Sequence, residues 1–382
     1  MRTLSAYIHI PFCASRCGYC DFNTYTASEL QRDGSSITTS TYPDRVISEI
    51  NWLKHQNSVD NREISTVFFG GGTPTMISAK NLVRILAAAK STYGLIQDAE
   101  VTTEANPDSV SLQDLEILRN GGFTRISFGH QSSANNVLQI LERTHTPGKT
   151  WQAVSDARKA GFEHVSVDLI YGTPGETDED LMRTLEDVAN ADVDHLSAYS
   201  LIVEPGTKLA ARVARGELSQ PSDDVAAHRY GLIDSALTEM GMTWYEVSNW
   251  SKPGGQCLHN IAYWQNQDWL GIGPGAHAHT AGTRSWNVKH PAAWAALIDQ
   301  GVSPTADLEV LAPTDIAHEE IMLRLRLREG LSLDMLDDSG IAEANIAVTQ
   351  GLLEPTDFAS GTAVLTYKGR LLADGLVARL WA

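Results

Sequence analysis

Residues 7–20 read Tyr7-Ile-His-Ile-Pro-Phe-Cys13-Ala-Ser-Arg-Cys17-Gly-Tyr-Cys20 and hold three of the four cysteines of the chain. The chain starts without the apolar stretch and cleavage site of a signal peptide, and no run of residues is apolar enough to span a membrane. We therefore expect a soluble cytoplasmic protein, in which thiols stay reduced. Three crowded thiols in such a protein indicate a metal site.

The spacing of these cysteines allows more than one kind of metal site. Three thiolates in one loop can bind three irons of a [4Fe–4S] cluster and leave the fourth iron open to a small ligand. A zinc site completed by Cys257 or His259 would instead make the chain a zinc-stabilised binding module. Three unligated thiols are the remaining alternative.

Short β-rich runs alternate with amphipathic helical patterns through the first half of the chain. The candidate strands are Leu4–Ile10, Thr66–Phe69, Val101–Ala105, Arg125–Phe128, His164–Ile170 and His195–Tyr199. Ser111 stands where one of the intervening helices needs an N-cap. Six such units predict an α/β fold with a parallel sheet covered by helices, curved into a partial (β/α)6 barrel.

Polar groups follow these strands at their carboxyl ends. The cysteines come after the first strand, the run Gly70-Gly-Gly-Thr-Pro-Thr75 after the second, and Glu104, Gln131 and Asp168 at or after later ones. Barrel enzymes build their sites at this rim. Consecutive glycines let a ligand reach backbone N–H groups, although a tight turn also explains them.

Composition divides the chain into three parts: a barrel over 1–240, a connecting region over 241–305 that is rich in Gly, Trp and His, and a helical, winged-helix-like domain over 306–382. The whole chain carries a net charge of −18, and the last part has 6 basic and 13 acidic residues. A surface of this sign repels phosphate backbones, so we expect no nucleic-acid partner.

The CxxxCxxC motif resembles the signature of the radical S-adenosylmethionine (SAM) superfamily. The resemblance implies that Cys13, Cys17 and Cys20 bind a [4Fe–4S] cluster, that SAM chelates the open iron, and that an electron from the cluster cleaves SAM to a radical. It also implies SAM contacts along the barrel rim. The residues are Tyr7, Gly71, Gly72, Thr73, Glu104, Gln131, Arg143 and Asp168.

Further motifs, among them Gly129-His-Gln-Ser132, Tyr245-Glu-Val-Ser-Asn249 and Gly271-Ile-Gly-Pro-Gly-Ala-His277, resemble the coproporphyrinogen III oxidase-like branch of that superfamily. This branch contains oxygen-independent coproporphyrinogen III dehydrogenases and haem chaperones. The dehydrogenases have a further cysteine two positions after the third, where this chain has Phe22, and a longer N-terminal extension. The segment His259-Asn-Ile-Ala-Tyr-Trp264 matches an HNxxYW element associated with the chaperones. The resemblance therefore favours a haem chaperone over the dehydrogenase.

The HNxxYW element also has a physical interpretation. An imidazole such as that of His259 is a good axial ligand for haem iron, and Tyr263 and Trp264 offer flat faces to a porphyrin. Cys257 could supply a thiolate instead, or the whole element could only stabilise the barrel edge. The family further implies acceptor haemoproteins such as membrane respiratory enzymes, peripheral contact with the cytoplasmic membrane face, and a homodimer.

Overall fold

The computed structural model describes residues 2–32, 37–56 and 60–381. The strands are β1 (Leu4–Ile10), β2 (Phe12–Cys13), β3 (Tyr25–Thr26), β4 (Ile64–Gly71), β5 (Leu95–Ala105), β6 (Arg125–Gln131), β7 (His164–Tyr171), β8 (His195–Ser200), β9 (Thr243–Glu246), β10 (Asn249–Ser251), β11 (Asp268–Ile272), β12 (His277–Thr280), β13 (Thr283–Asn287), β14 (Thr305–Val310), β15 (Leu331–Ser332) and β16 (Thr362–Ala363).

The α-helices are α1 (Ala27–Arg32), α2 (Tyr42–Gln56), α3 (Ala79–Tyr93), α4 (Leu112–Asn120), α5 (Asn135–Ile140), α6 (Lys149–Ala160), α7 (Asp178–Ala189), α8 (Lys208–Ala214), α9 (Asp223–Glu239), α10 (Leu258–Trp264), α11 (Pro291–Asp299), α12 (Pro313–Arg324), α13 (Asp338–Thr349), α14 (Pro355–Ala359), α15 (Tyr367–Leu371) and α16 (Ala373–Leu380). As predicted, Ser111 caps α4, and its hydroxyl accepts the N–H of Asp114 in a reciprocal capping box.

One twelve-stranded sheet dominates the molecule, in the order β14-β13-β12-β11-β1-β4-β5-β6-β7-β8-β10-β9. The six predicted strands are its consecutive parallel strands β1 and β4–β8, and the predicted α/β barrel fold is confirmed. The strand β11 adds a seventh parallel strand beside β1, and antiparallel strands extend both ends of the sheet. The segment 241–305 thus contributes β9 to β13 to the same sheet. The strand β14 spans the boundary expected at 305–306. The predicted division of the chain into a barrel, a connecting region and a C-terminal domain stays a prediction.

Side chains alternate along the parallel strands between an apolar outer face and a polar inner face. Outward residues such as Ile8, Phe69 and Val167 belong to the main hydrophobic core, which the helices cover. Inward residues occupy matched positions on neighbouring strands, because Tyr7 lies beside Phe68, Phe68 beside Thr102, and Thr102 beside Arg125. The barrel therefore encloses a cavity lined by both polar and aromatic side chains.

The C-terminal region has a hydrophobic core of its own. Residues of α12, α13 and α16, among them Ile321, Ala344 and Leu376, pack around the short antiparallel pair β15–β16. The last two helices, α15 and α16, are separated by Leu372. Within the described ranges, no helix is long and apolar enough to cross a membrane.

Candidate functional site

A cavity of about 830 Å³ opens at the carboxyl ends of the parallel strands and continues into the barrel. It brings together thirteen of the fourteen predicted site residues. These are Tyr7, Cys13, Cys17, Cys20, Gly71, Gly72, Thr73, Glu104, Gln131, Arg143, Asp168, His259 and Tyr263. Trp264 is not among the residues that line the cavity, and a contact between its indole and a porphyrin stays a prediction. It ends α10, and the indole of a helix-terminal residue five positions after His259 lies on a different helical face.

The cysteine loop lies between β2 and β3 against the cavity. Its backbone is tied to the rest of the rim, since Gly18 N donates to Leu141 O at 3.0 Å and Thr73 N donates to Phe12 O at 2.7 Å. All three thiols are free, and burial, with the neighbouring Cys20 as a smaller cause, raises the pKa of Cys13 to about 11. In the part of the chain that the structure describes, no three His, Cys, Asp or Glu side chains converge on a single metal ion. A [4Fe–4S] cluster makes a different demand, because each thiolate binds its own iron.

Buried polar atoms around the loop fit an anionic group held by these thiols. Arg143 Nη1 lies 3.6 Å from Cys17 Sγ, and its Nη2 donates to Gly129 O at 2.8 Å. A Cβ on Gly129 would lie 2.5 Å from that guanidinium, so a glycine is needed for this approach. The atoms Arg16 Nε, Thr24 Oγ1 and Arg143 Nε are buried and have no hydrogen-bond partner among the described residues. Such orphaned donors beside three thiols are suited to a thiolate-bound cluster and its ligand.

The glycine turn after β4 is shaped by packing. Gly71 has a φ of +110°, and a Cβ there would lie 2.4 Å from the ring of His9. Gly71 N donates to Glu104 Oε2 at 3.2 Å and Gly72 N to Ile10 O at 2.8 Å. The turn itself thus uses these N–H groups, and their binding to a ligand stays a prediction. What the glycines provide is a close approach of the turn to the cavity.

Two carboxyl groups, Glu104 on β5 and Asp168 on β7, line the cavity from the two strands that flank β6. Burial raises the pKa of Glu104 to about 8, with the nearby Asp168 as a second cause. Burial also raises the pKa of Asp168, although the hydroxyls of Ser197 and Ser127 oppose this shift; Ser127 Oγ lies 3.0 Å from Asp168 Oδ1. Two carboxyl groups that are costly to ionise in an empty cavity favour a cationic or hydroxyl-rich ligand.

The HNxxYW element forms α10, and a buried ion pair holds the start of this helix. Glu100, near the middle of β5, accepts the backbone N–H groups of Leu258 and His259 at 3.1 and 2.9 Å. Arg125 Nε lies 2.9 Å from Glu100 Oε2, and both side chains are almost fully buried. Cys257 Sγ lies 3.5 Å from Glu100 Oε1, and burial raises the pKa of this thiol. A neutral thiol bonded to a carboxylate is a poor source of a metal-binding thiolate.

The tautomer of His259 follows from its hydrogen bonds. Thr66 Oγ1 donates to Ser5 Oγ at 2.8 Å, so its one hydroxyl proton is used. His259 Nδ1, at 2.8 Å from the same oxygen, must therefore donate its own proton, which leaves Nε2 with a lone pair. That Nε2 is buried and finds no partner within the described ranges, and burial lowers the pKa of the ring to about 4. A neutral imidazole fixed by an Nδ1–H bond with a free Nε2 is the usual arrangement of a metal-ligating histidine.

Sequence reasoning missed the residues that position His259, namely Thr66, Glu100 and Arg125. A signal was present, because Arg125 opens an otherwise alternating strand at an inward position and charged residues are rarely buried without a partner. The partners were not visible, since Thr66 and His259 are 193 positions apart.

Comparison with known proteins shows the family to which the chain belongs. The family model of the Radical SAM superfamily matches residues 7–188. The chain is 46% identical over 379 residues to the "Heme chaperone HemW" of Mycobacterium tuberculosis, covering 99% of this chain and 95% of that protein. It is 33% identical to the Bacillus subtilis protein of the same name, covering 97% of each. The solved structure of coproporphyrinogen III oxidase (HemN) from Escherichia coli superimposes with a TM-score of 0.83 at 23% identity, over 99% of this chain and 90% of that one. The chain therefore belongs to the radical SAM superfamily and, within it, to the family of the haem chaperone HemW.

Proposed function

We propose that this protein is a haem chaperone, which binds haem and transfers it to acceptor haemoproteins while carrying a [4Fe–4S] cluster and exchangeable SAM. Membership of the radical SAM superfamily implies the cluster and SAM. The observation that carries the haem proposal is the unpartnered Nε2 of His259, a residue that lines the same cavity as the three cysteines. The haem chaperone names of the relatives support the same function.

In this proposal different residues of the rim bind the cluster and SAM. Cys13, Cys17 and Cys20 hold the cluster, and the guanidinium of Arg143 offsets the negative charge of the thiolates. Glu104 and Asp168 bind the amino group or ribose hydroxyls of SAM. When bound and reduced by an external electron donor, the cluster would supply an electron to SAM. The neighbouring Tyr7, Gly71, Gly72, Thr73 and Gln131 complete the surface against which SAM packs.

Haem would be held by His259 and by apolar surface at the cavity mouth. His259 Nε2 is the proposed axial ligand, and Tyr263 packs edge-on against the imidazole at a centroid distance of 4.7 Å. Phe22, Tyr199 and Ile202 line the cavity and are 61%, 47% and 66% exposed. Exposed apolar side chains around a cavity are typical of a binding surface for a large apolar ligand.

From the family we propose that the acceptors are haemoproteins such as membrane respiratory enzymes. The protein would bind them in the cytoplasm or at the cytoplasmic face of the membrane. The same holds for a homodimer. The separate C-terminal core makes the segment 306–382 the proposed contact region for protein partners, and its net charge of −7 disfavours DNA.

Two parallel reactions on anaerobically reconstituted protein test the proposal. One receives haem, and the other receives coproporphyrinogen III with SAM and a reductant. A stable Soret shift that is lost in His259→Ala, with no porphyrin turnover, is the expected result. Decarboxylated porphyrin together with 5′-deoxyadenosine would overturn the chaperone function and make the protein a coproporphyrinogen III dehydrogenase.

A further inference from the structure

A second cleft, of about 560 Å³, lies in the C-terminal region between α15, the start of α16 and the turn after β9. The segment 306–382 has six basic residues, and four of them line this cleft: Arg326, Lys368, Arg370 and Arg379. Of its thirteen acidic residues only Asp374 does so. Such segregation of cations within an acidic chain is expected at a surface that binds an anion.

The cations of this cleft are held in place but retain unused donors. Arg370 forms a bidentate pair with Asp234 at 2.8 and 2.7 Å, yet its buried Nε has no partner in the described part of the chain. Arg379 uses Nε and Nη1 on Glu343 and on the Gln350 side chain.

Lys368 is the least satisfied of these cations. Its Nζ bonds the carbonyl of Gln350 at 3.0 Å, and within the described residues no carboxylate lies within ion-pair distance of it. An ammonium that keeps two of its three donors available can bind a ligand oxygen without breaking an existing ion pair.

The backbone beside these cations also accommodates an anion. The eight-residue helix α16 begins in the cleft without a side-chain cap, so its first N–H groups have no side-chain acceptor. A Cβ built on Gly375 would meet nothing within 4 Å, which shows open space over this helix start. The carboxylate that competes for this place is Asp374, which is 92% exposed and bonds Arg326.

We infer that this cleft binds a phosphate group carried by a molecule with an apolar portion. Lys and Arg donors beside a helix N-terminus suit the several oxygens of a phosphate. Leu371 and Leu372, which are 37% and 51% exposed, line the same cleft and offer the surface for the apolar portion. The phosphate could belong to a soluble metabolite or to a lipid headgroup, because the chemistry recognised is the same.

Isothermal titration calorimetry with n-hexyl phosphate at low ionic strength tests this inference on the full-length protein. The wild type should bind hexyl phosphate. Lys368→Gln should weaken binding by about tenfold or more, because a charge-assisted hydrogen bond is lost. Asp374→Asn should strengthen binding, because the competing carboxylate is removed. Lys159→Gln, which removes another exposed lysine, on α6, is the control and should bind as the wild type does.

Opposite effects of the two cleft variants cannot come from general misfolding, and circular dichroism would verify that all variants fold. Flotation with phosphatidylglycerol vesicles identifies the source of the phosphate: co-flotation that depends on Lys368 indicates a lipid, and its absence alongside hexyl phosphate binding indicates a soluble ligand. No heat of binding in the wild type, or equal affinity in the wild type and Lys368→Gln, would overturn the inference.

Discussion

Replacing Thr66 by valine removes the oxygen that accepts the Nδ1 proton of His259. Thr66 and Ser5 are 3% and 1% exposed, so water cannot replace the lost bonds. A buried polar group without a partner costs about 1–3 kcal/mol. Neither ring nitrogen then has a partner, because Nε2 is also buried and unpartnered among the described residues, and nothing keeps the proton on Nδ1. We therefore expect the free energy of unfolding to fall by about 1–3 kcal/mol, and the proton of His259 to move to Nε2, the tautomer that a free histidine side chain prefers.

Nitrogen-15 NMR of histidine-labelled protein without haem measures this change directly. The wild type should show His259 protonated at Nδ1 and unprotonated at Nε2, with the signal assigned by its loss in His259→Gln. The Thr66→Val variant should show the opposite tautomer, and Thr66→Ser should keep the wild-type one because it retains the hydroxyl. Haem titrations should then follow the tautomer, with weaker binding in the valine variant only. A valine variant that keeps the proton on Nδ1 would refute the assignment of Thr66 as the residue that fixes this ring.

Three further changes test the site. Cys17→Ser should abolish the iron–sulfur absorbance of reconstituted protein while leaving its circular dichroism unchanged, because the loop lies outside the apolar core; persistent absorbance would contradict the ligand assignment. Because the pKa of Glu104 is raised in the folded state, folding takes up a proton at this group. The free energy of unfolding should therefore fall as the pH rises from about 4.5 to about 8, by at most about 1.4 kcal/mol per pH unit. The Tm advantage of Glu104→Gln over the wild type should accordingly grow across that range and then level off, whereas a constant difference would argue against it. Arg125→Met should reduce the free energy of unfolding in urea by about 3–5 kcal/mol by leaving Glu100 buried and unpaired, and adding Glu100→Gln should recover part of that loss.

The barrel core could be predicted from the sequence because its information is local. Each predicted strand lies within an observed one, and His164–Ile170 differs from β7 only by Tyr171. The largest difference is at β5, which starts at Leu95 rather than Val101. The first half of this strand is exposed and contains the polar residues Gln97 and Asp98, so its sequence lacks the apolar pattern of a buried strand. The cysteine motif was equally local, with all three thiols inside eight residues.

The parts that could not be predicted depend on distant pairs. Nothing in Asp268–Ile272 indicates that β11 lies beside β1, because the two strands are more than 250 positions apart in the sequence. The other five parallel strands, β4–β8, all lie on the opposite side of β1. The role of His259 shows the same limit. Its residue type suggested a ligand. Its tautomer, however, depends on Thr66 of β4, and its backbone position depends on Glu100 of β5.

The buried position of His259 also constrains how a bound haem could leave. Burial lowers the pKa of this imidazole to about 4, against an ordinary value of 6.5, so its Nε2 lone pair persists throughout the physiological pH range. Release by protonation of the axial ligand would therefore need a pH near 4. If the protein transfers haem as proposed, transfer at neutral pH would instead require that a ligand from the acceptor displaces the imidazole or that the cavity mouth opens. Phe22, Tyr199 and Ile202 are exposed and line the cavity, so the proposed function assigns the first contact with an acceptor to this surface.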